Sequence, residues 1–312
     1  MGQGPSIPPE QRLAQLEVFS EELFASSQWQ GIGIDSSLLS YSGLNSNDVL
    51  VRYRDQVFDV PSAVEKLGAA FAGFTTVPNA VGLGALIISM ILESVGKSMG
   101  KKTMGTAEML QRVFADEKAK EVRDLMDEYL KRLQINLGNP LLQLDEIRLI
   151  ELYLSAKLTR LKNSMLVDGQ MNSRLLKQWV NGAAFHTQML IHQARLEEAN
   201  GSRAVSAAGF YQQQLNVIMD RYKKYLNGIT SIKSYWIAYG RPSCDLDFKE
   251  GPVSGYIWCY MDNFFCVTGT ELVEHLFSKQ QISWTKSYFS DLAADIPTLV
   301  RQNATFQIVN RH

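Results

Sequence analysis

Through the middle of the chain, apolar residues recur at steps of three and four, interrupted only by short polar breaks. That period puts them on one face of an α-helix, and four helices are predicted. The first, about 106–137, carries Leu110, Phe114, Val122, Met126, Tyr129, Leu133 and Leu137. It stops at Gly138-Asn139-Pro140, where a residue that tolerates left-handed backbone meets one that cannot continue a helix. The second, about 142–167, carries Ile147, Ile150, Leu154, Leu158, Leu161 and Met165 and ends at Asp168-Gly169. The third, about 172–199, carries Leu176, Trp179, Ala183, His186 and Leu190. The fourth, about 203–229, has the most regular stripe: Ala208, Tyr211, Leu215, Ile218, Tyr222, Tyr225 and Ile229 alternate steps of three and four. A seven-residue seam of that kind packs side by side with neighbouring helices, and the short connections predict antiparallel neighbours. The expected fold class is all-α, an elongated antiparallel helical bundle.

Before the bundle, residues 1–61 read as an irregular segment with one short helix over 10–25, bearing Leu13, Leu16, Phe19 and Leu23. Pro61 and the capping-box form Ser62-Ala63-Val64-Glu65 then predict a helix start. Next comes a stretch of 26 residues without a charge, 67–92, split at its midpoint by Pro78-Asn79. At about 20 residues per crossing it is long enough to span a membrane once. Its halves suit a helical hairpin turning at 77–79. The small pairs Ala69/Gly73 and Ala85/Ser89 would let its arms pack closely. The bundle with this hairpin is assigned to 62–230. After it, 231–312 alternates aromatic residues with Gly-Pro breakers and reads as an α/irregular cap with room for a short hairpin. Short helices are expected at 270–277 and 284–294.

The 312 residues contain 31 basic and 32 acidic side chains, a formal charge of -1, so no basic excess marks a nucleic-acid partner. Three cysteines cannot form a disulfide framework, and their odd number leaves at least one thiol unpaired. With no signal-peptide-like apolar core in the first 25 residues, this predicts a reducing, cytoplasmic setting.

The motif search returns little chemistry. No phosphate loop, G-x-G-x-x-G, H-E-x-x-H, C-x-x-C or G-x-S-x-G is present. His186 falls on an apolar stripe and reads as a core histidine with one hydrogen-bond partner. Cys259 and Cys266 read as packing thiols, and Asp245-Leu246-Asp247 as a loop sequence. Asn200-Gly201-Ser202 and Asn303-Ala304-Thr305 are treated as chance glycosylation matches. No catalytic residue, metal ligand, cofactor or small-molecule substrate is expected, and no enzyme.

Two features point to a membrane. Met1-Gly2-Gln3-Gly4-Pro5-Ser6 fits the M-G-x-x-x-[ST] pattern for N-myristoylation at Gly2. One acyl chain anchors only marginally, so a second contact is required. The apolar side chains of the uncharged run are the candidates: Phe71, Phe74, Val77, Pro78, Val81, Leu83, Leu86, Ile87, Ile88, Ile91 and Leu92.

The order of an uncharged Gly/Ala-rich segment (69–96), long charged helices (106–229) and the aromatic, Cys-containing YIWCYMDNFFCVTGTELVEHLF (256–277) resembles the rapunzel-like proteins of fishes. The likeness covers about 200 residues and lacks a diagnostic motif. It implies a vertebrate origin and a non-enzymatic role, and carries over no site residues. The function expected is a non-enzymatic helical protein that associates with membrane lipid, peripheral on membranes. One alternative is a pore former that inserts 67–92. Another is a soluble scaffold that offers Tyr211, Leu215, Ile218, Tyr222 and Tyr225 to a second copy or another coiled coil.

Overall fold

A computed structural model describes residues 7–25, 31–36, 38–39, 50, 52, 76–77, 110, 113–114, 119–136, 139–237, 241–250, 253–260, 266–301 and 306–307. The fold is helical, with seven helices among the described residues: α1 (Pro9–Ala25), α2 (Lys120–Ile135), α3 (Pro140–Leu166), α4 (Ser173–Leu196), α5 (Ser202–Ile229), α6 (Gly269–Ser278) and α7 (Gln280–Leu299). Contacts divide the chain into two compact units. One comprises Met1–Gly33, Asn163–Lys177 and Gln214–Ser287; the other comprises Ile34–Lys162, Gln178–Gln213 and Tyr288–His312.

Helix starts follow local chemistry. The Asn139 side chain accepts from the Leu142 N–H at 3.2 Å, and Pro140 takes the first helical position, where a missing N–H costs nothing. Asn172 accepts from the Leu175 N–H at 2.8 Å to open α4. The turn before α5 uses Gly201 at φ +76°, and an added Cβ there would also meet Val300 Cγ1 at 2.9 Å.

Directions follow from paired side chains. In the second unit Lys157 of α3 meets Glu121 of α2 and Arg132 meets Glu146, so α2 and α3 run antiparallel. His186 of α4 bonds Tyr211 of α5 while Gln193 bonds Arg203, so those helices also run antiparallel. A core cluster joins Leu190, Ile191 and Ala194 to Ala204 and Ala208 of α5 and to Leu292, Ile296, Leu299 and Val300. The predicted stripes are buried at Ile147, Ile150, Leu154, Leu158, Leu161 and Met165 of α3. On α5, Ala208, Tyr211, Leu215, Ile218 and Tyr222 are buried and Tyr225 is half-buried.

In the first unit α1 packs on α6 and on the strand Val253–Tyr260. Gln15 accepts from the Val267 N–H at 2.9 Å, Arg12 pairs with Glu271 at 2.7 Å, and Glu17 pairs with Lys279. Of the α1 stripe, Leu16, Phe19 and Leu23 are buried, but Leu13 is exposed.

Three expectations need correcting. The segment after α5 is a three-stranded antiparallel sheet of order β2-β3-β4 (Thr230–Ile237, Arg241–Glu250, Val253–Tyr260), longer and more regular than a short hairpin in an irregular cap. Pro242 looked like a breaker, but it is the second residue of β3, where losing an N–H removes a single ladder bond. Asp245-Leu246-Asp247 therefore lies in a strand, with Asp247 buried and paired with Lys249 at 3.4 Å.

Secondly, Cys244 and Cys266 form a disulfide, closing a separation of 22 residues. Reading Cys266 as a packing thiol was wrong, and the argument from cysteines to a reducing compartment goes with it. The third correction concerns the expected turn of the helical hairpin. Thr76–Val77 forms a short strand, β1, antiparallel to β5 (Phe306–Gln307). The rest of 67–92 lies outside the described residues.

Candidate functional site

Among the described residues of the second unit, a polar constellation joins α3, α4 and α5. Glu151 stands on the buried side of α3, four residues after Ile147 and three before Leu154. His186 occupies the predicted stripe of α4, and Tyr211 the seam of α5. Helical period alone turns all three inward, into a relay. The Tyr211 hydroxyl lies 2.9 Å from His186 Nδ1, and His186 Nε2 lies 3.0 Å from Glu151 Oε1. Trp179 and Phe289 pack around the phenol ring, with ring centroids 5.8 and 5.6 Å away.

Charge and burial fix the proton positions. The hydrogen bond from His186 holds the Glu151 carboxyl below the ordinary glutamate range, reinforced by Arg203 against the opposing effect of burial. Glu151 is therefore an ionised acceptor, and His186 Nε2–H donates to it. Burial pushes the Tyr211 phenol well up, the nearby Glu151 charge adds to this, and a hydrogen bond with Ser155 opposes it. The phenol keeps its proton and donates to Nδ1. The hydrogen-bond pattern thus assigns His186 to the Nε2–H tautomer.

From Glu151 the chain of polar contacts continues outward. Arg203 donates to Glu151 Oε2 at 2.6 Å and to Gln193 Oε1 at 3.1 Å. Gln193 Nε2 donates to Glu197 at 3.0 Å, which also accepts from Arg148 at 2.9 Å. The Arg203 side chain is 60% exposed, so the outer carboxylate oxygen is bonded to a group at the surface, while the inner one is sealed behind His186.

A second set lies further along α4. His192 is buried, and its Nε2–H donates to Gln143 Oε1 at 3.2 Å. Burial, then the charge of Arg195, push it down to about 3, so the ring is neutral. Burial lowers Arg195 to about 10, leaving it charged near neutrality. Asn181, Gln188 and Arg195 repeat every seven residues along α4. The Asn181 side chain accepts from the Asp35 N–H at 2.8 Å. Among the described residues the amides of Gln178 and Gln188 and the indole N–H of Trp179 are buried without a hydrogen-bond partner.

These arrangements clamp helices and store charge. No group of three or more His, Cys, Asp or Glu side chains among the described residues could hold a metal ion, and no described helix is long and apolar enough to cross a membrane. His186 has two side-chain partners rather than the one expected. Glu151 and Arg203 were not singled out from the sequence, although a glutamate standing within the stripe 147, 150, 154, 158 was a readable sign.

Of the sequence-predicted residues, Tyr211, Leu215, Ile218 and Tyr222 are buried inside the chain itself, so the α5 seam is occupied by the protein's own core. Tyr222 bonds the Ser173 hydroxyl and stacks near Tyr225, 6.2 Å between centroids. Val77 lies in β1. Gly2, Phe71, Phe74, Pro78, Val81, Leu83, Leu86, Ile87, Ile88, Ile91 and Leu92 lie outside the described residues. Comparison of the chain with protein-family models, with curated proteins and with solved structures finds no match in any of the three.

Proposed function

We propose that this is a non-enzymatic helical protein that binds membrane surfaces through an acyl chain on Gly2 and a second, apolar contact. The observation that carries the reading is an uncovered strip on α3. Leu142, Leu149 and Tyr153 lie within about 40° around the helix. Leu141 and Leu152 stand beside them, and these last two are 75% and 67% exposed. The opposite face of the same helix is core, so α3 is apolar on two sides. Lone exposed leucines need no explanation, but four leucines and a tyrosine on one face, interrupted by Asp145, make a surface suited to lipid. Such a strip supplies the second contact that one acyl chain requires.

Liposome flotation with dye release tests this, comparing acylated protein, unacylated protein, Leu149→Asp/Leu152→Asp and Leu86→Asp. The acylated protein should float without leakage, and the double change on α3 should weaken binding at least about tenfold. Flotation that ignores both Gly2 and α3 would sink the proposal. Leakage that survives loss of the acyl chain but dies with Leu86→Asp would replace it with the pore-forming reading.

A further inference from the structure

All three cysteines fall within one unit. Cys244 is buried on β3 and bonded to Cys266, and the β3–β4 register sets Cys259 directly opposite Cys244. Directly opposed residues of an antiparallel pair have Cα atoms about 4.5 or 5.5 Å apart, inside the range of roughly 4.4–6.8 Å that a disulfide accepts. Cys244 therefore has two geometrically admissible partners, one across the ladder and one just ahead of α6.

We propose that the three cysteines form an intramolecular disulfide-exchange unit. The Cys259 thiol loses its proton to solvent, and the thiolate attacks the Cys244 sulfur. The Cys244–Cys259 bond forms as the Cys244–Cys266 bond breaks, and Cys266 leaves as a thiolate that takes up a proton. Two electrons shift with the sulfur bond, so no oxidant or reductant is consumed.

The surroundings of Cys266 favour it as the leaving group. It stands two residues before Thr268, the capping residue of α6, near the positive end of that helix. A helix N-terminus stabilises a thiolate, and a stabilised thiolate leaves faster. The acidic group at that end, Glu271, is already bonded to the Thr268 N–H and side chain and paired with Arg12. Cys266 also lines an open depression with Thr230, Ser231, Ile232 and Ser234, so the released thiol faces a concave surface. The close approach there is fixed by Gly269, where an added Cβ would lie 2.5 Å from the Thr230 carbonyl oxygen. Exchange would trade a tether between β3 and the start of α6 for one within the sheet.

The test maps thiols in the full chain. Protein held at about pH 8 without added thiol is quenched in acid, alkylated in denaturant and digested for mass spectrometry. The label should divide between Cys259 and Cys266, with a matching Cys244–Cys259 cross-linked peptide whose fraction does not change on dilution. Cys259→Ser should abolish the label at Cys266. Cys266→Ser leaves two of the three cysteines, and oxidised glutathione should take its titratable thiols from two to none within one chain. Label confined to Cys259 in the wild-type chain overturns the proposal, as does label at Cys266 that persists in Cys259→Ser. If Cys266→Ser does not fold, the wild-type and Cys259→Ser maps still decide.

Discussion

Helices α3 and α4 are neighbours built on opposite plans. α3 exposes leucines at 141, 149 and 152, while α4 buries every position from 178 to 195. Those eighteen positions include Gln178, Asn181, His186, Thr187, Gln188, His192, Gln193 and Arg195. Polarity by itself therefore did not decide what went inside. Position among the helices did, and the polar groups of α4 are tolerated where partners such as Glu151, Gln143 and the Asp35 N–H meet them. The pair shows that an apolar face is not always covered and a polar face is not always wet.

The contrast is broken directly at the relay. Glu151→Ala leaves the buried His186 Nε2–H without its acceptor, and urea unfolding should show a loss of about 1–3 kcal/mol. Glu151→Leu combined with His186→Leu should recover most of it, since two apolar groups need no partner. A loss from Glu151→Ala below about 1 kcal/mol would mean that the relay is incidental to stability.

The buried side of α3 carries at least as much. Leu154→Ala should lower stability by about 2–5 kcal/mol through the cavity it leaves. Thermal unfolding of the single variant checks this.

Acid sharpens the picture of α4. His192 has a folded-state value depressed to about 3 from an ordinary 6.5, so the unfolded chain binds the proton more readily between those values. Its contribution is fully present above about pH 6.5 and is lost as pH falls, at roughly 1 kcal/mol per pH unit. Glu151 is depressed as well, so its contribution fades only below the ordinary glutamate value of 4.5. A stability–pH profile should therefore slope below pH 6.5 and steepen below about 4.5. His192→Leu should flatten the upper part.

The smallest effect is the most pointed. Leu152→Ala, two residues from Leu154, should change stability by no more than about 0.5 kcal/mol. A large loss there would mean that the strip is covered, and the surface proposed for lipid would disappear.

Much of this was readable beforehand, and the reasons it was or was not are local. The stripes of α3 and α5 follow from period alone, and Asn139-Pro140 and Asn172 marked where α3 and α4 begin because a cap is a short-range device. The burial of α4 on every side needed neighbours, although the 17 residues 178–194 without a charged side chain were a sign of it. The sheet was harder. Its pairing joins Thr230 to Phe248 and Glu250 to Val253, and Pro242 argued against a central strand. The disulfide depended on that sheet, since nothing local in the sequence brings Cys244 to Cys266. Glu151 was hidden by its own charge, which suggests solvent unless the histidine opposite is known.

The pairing of β1 with β5 has a consequence for synthesis. Thr76 and Val77 sit inside the uncharged run, and their ladder partners are Gln307 and Phe306. A ribosome adding about 5–20 residues per second makes the second strand roughly 10–45 s after the first. For that time the nascent chain carries β1 with its edge unfilled, in the segment least able to stay apart from other apolar surfaces. The pairing thus closes only after nearly the whole chain has been made.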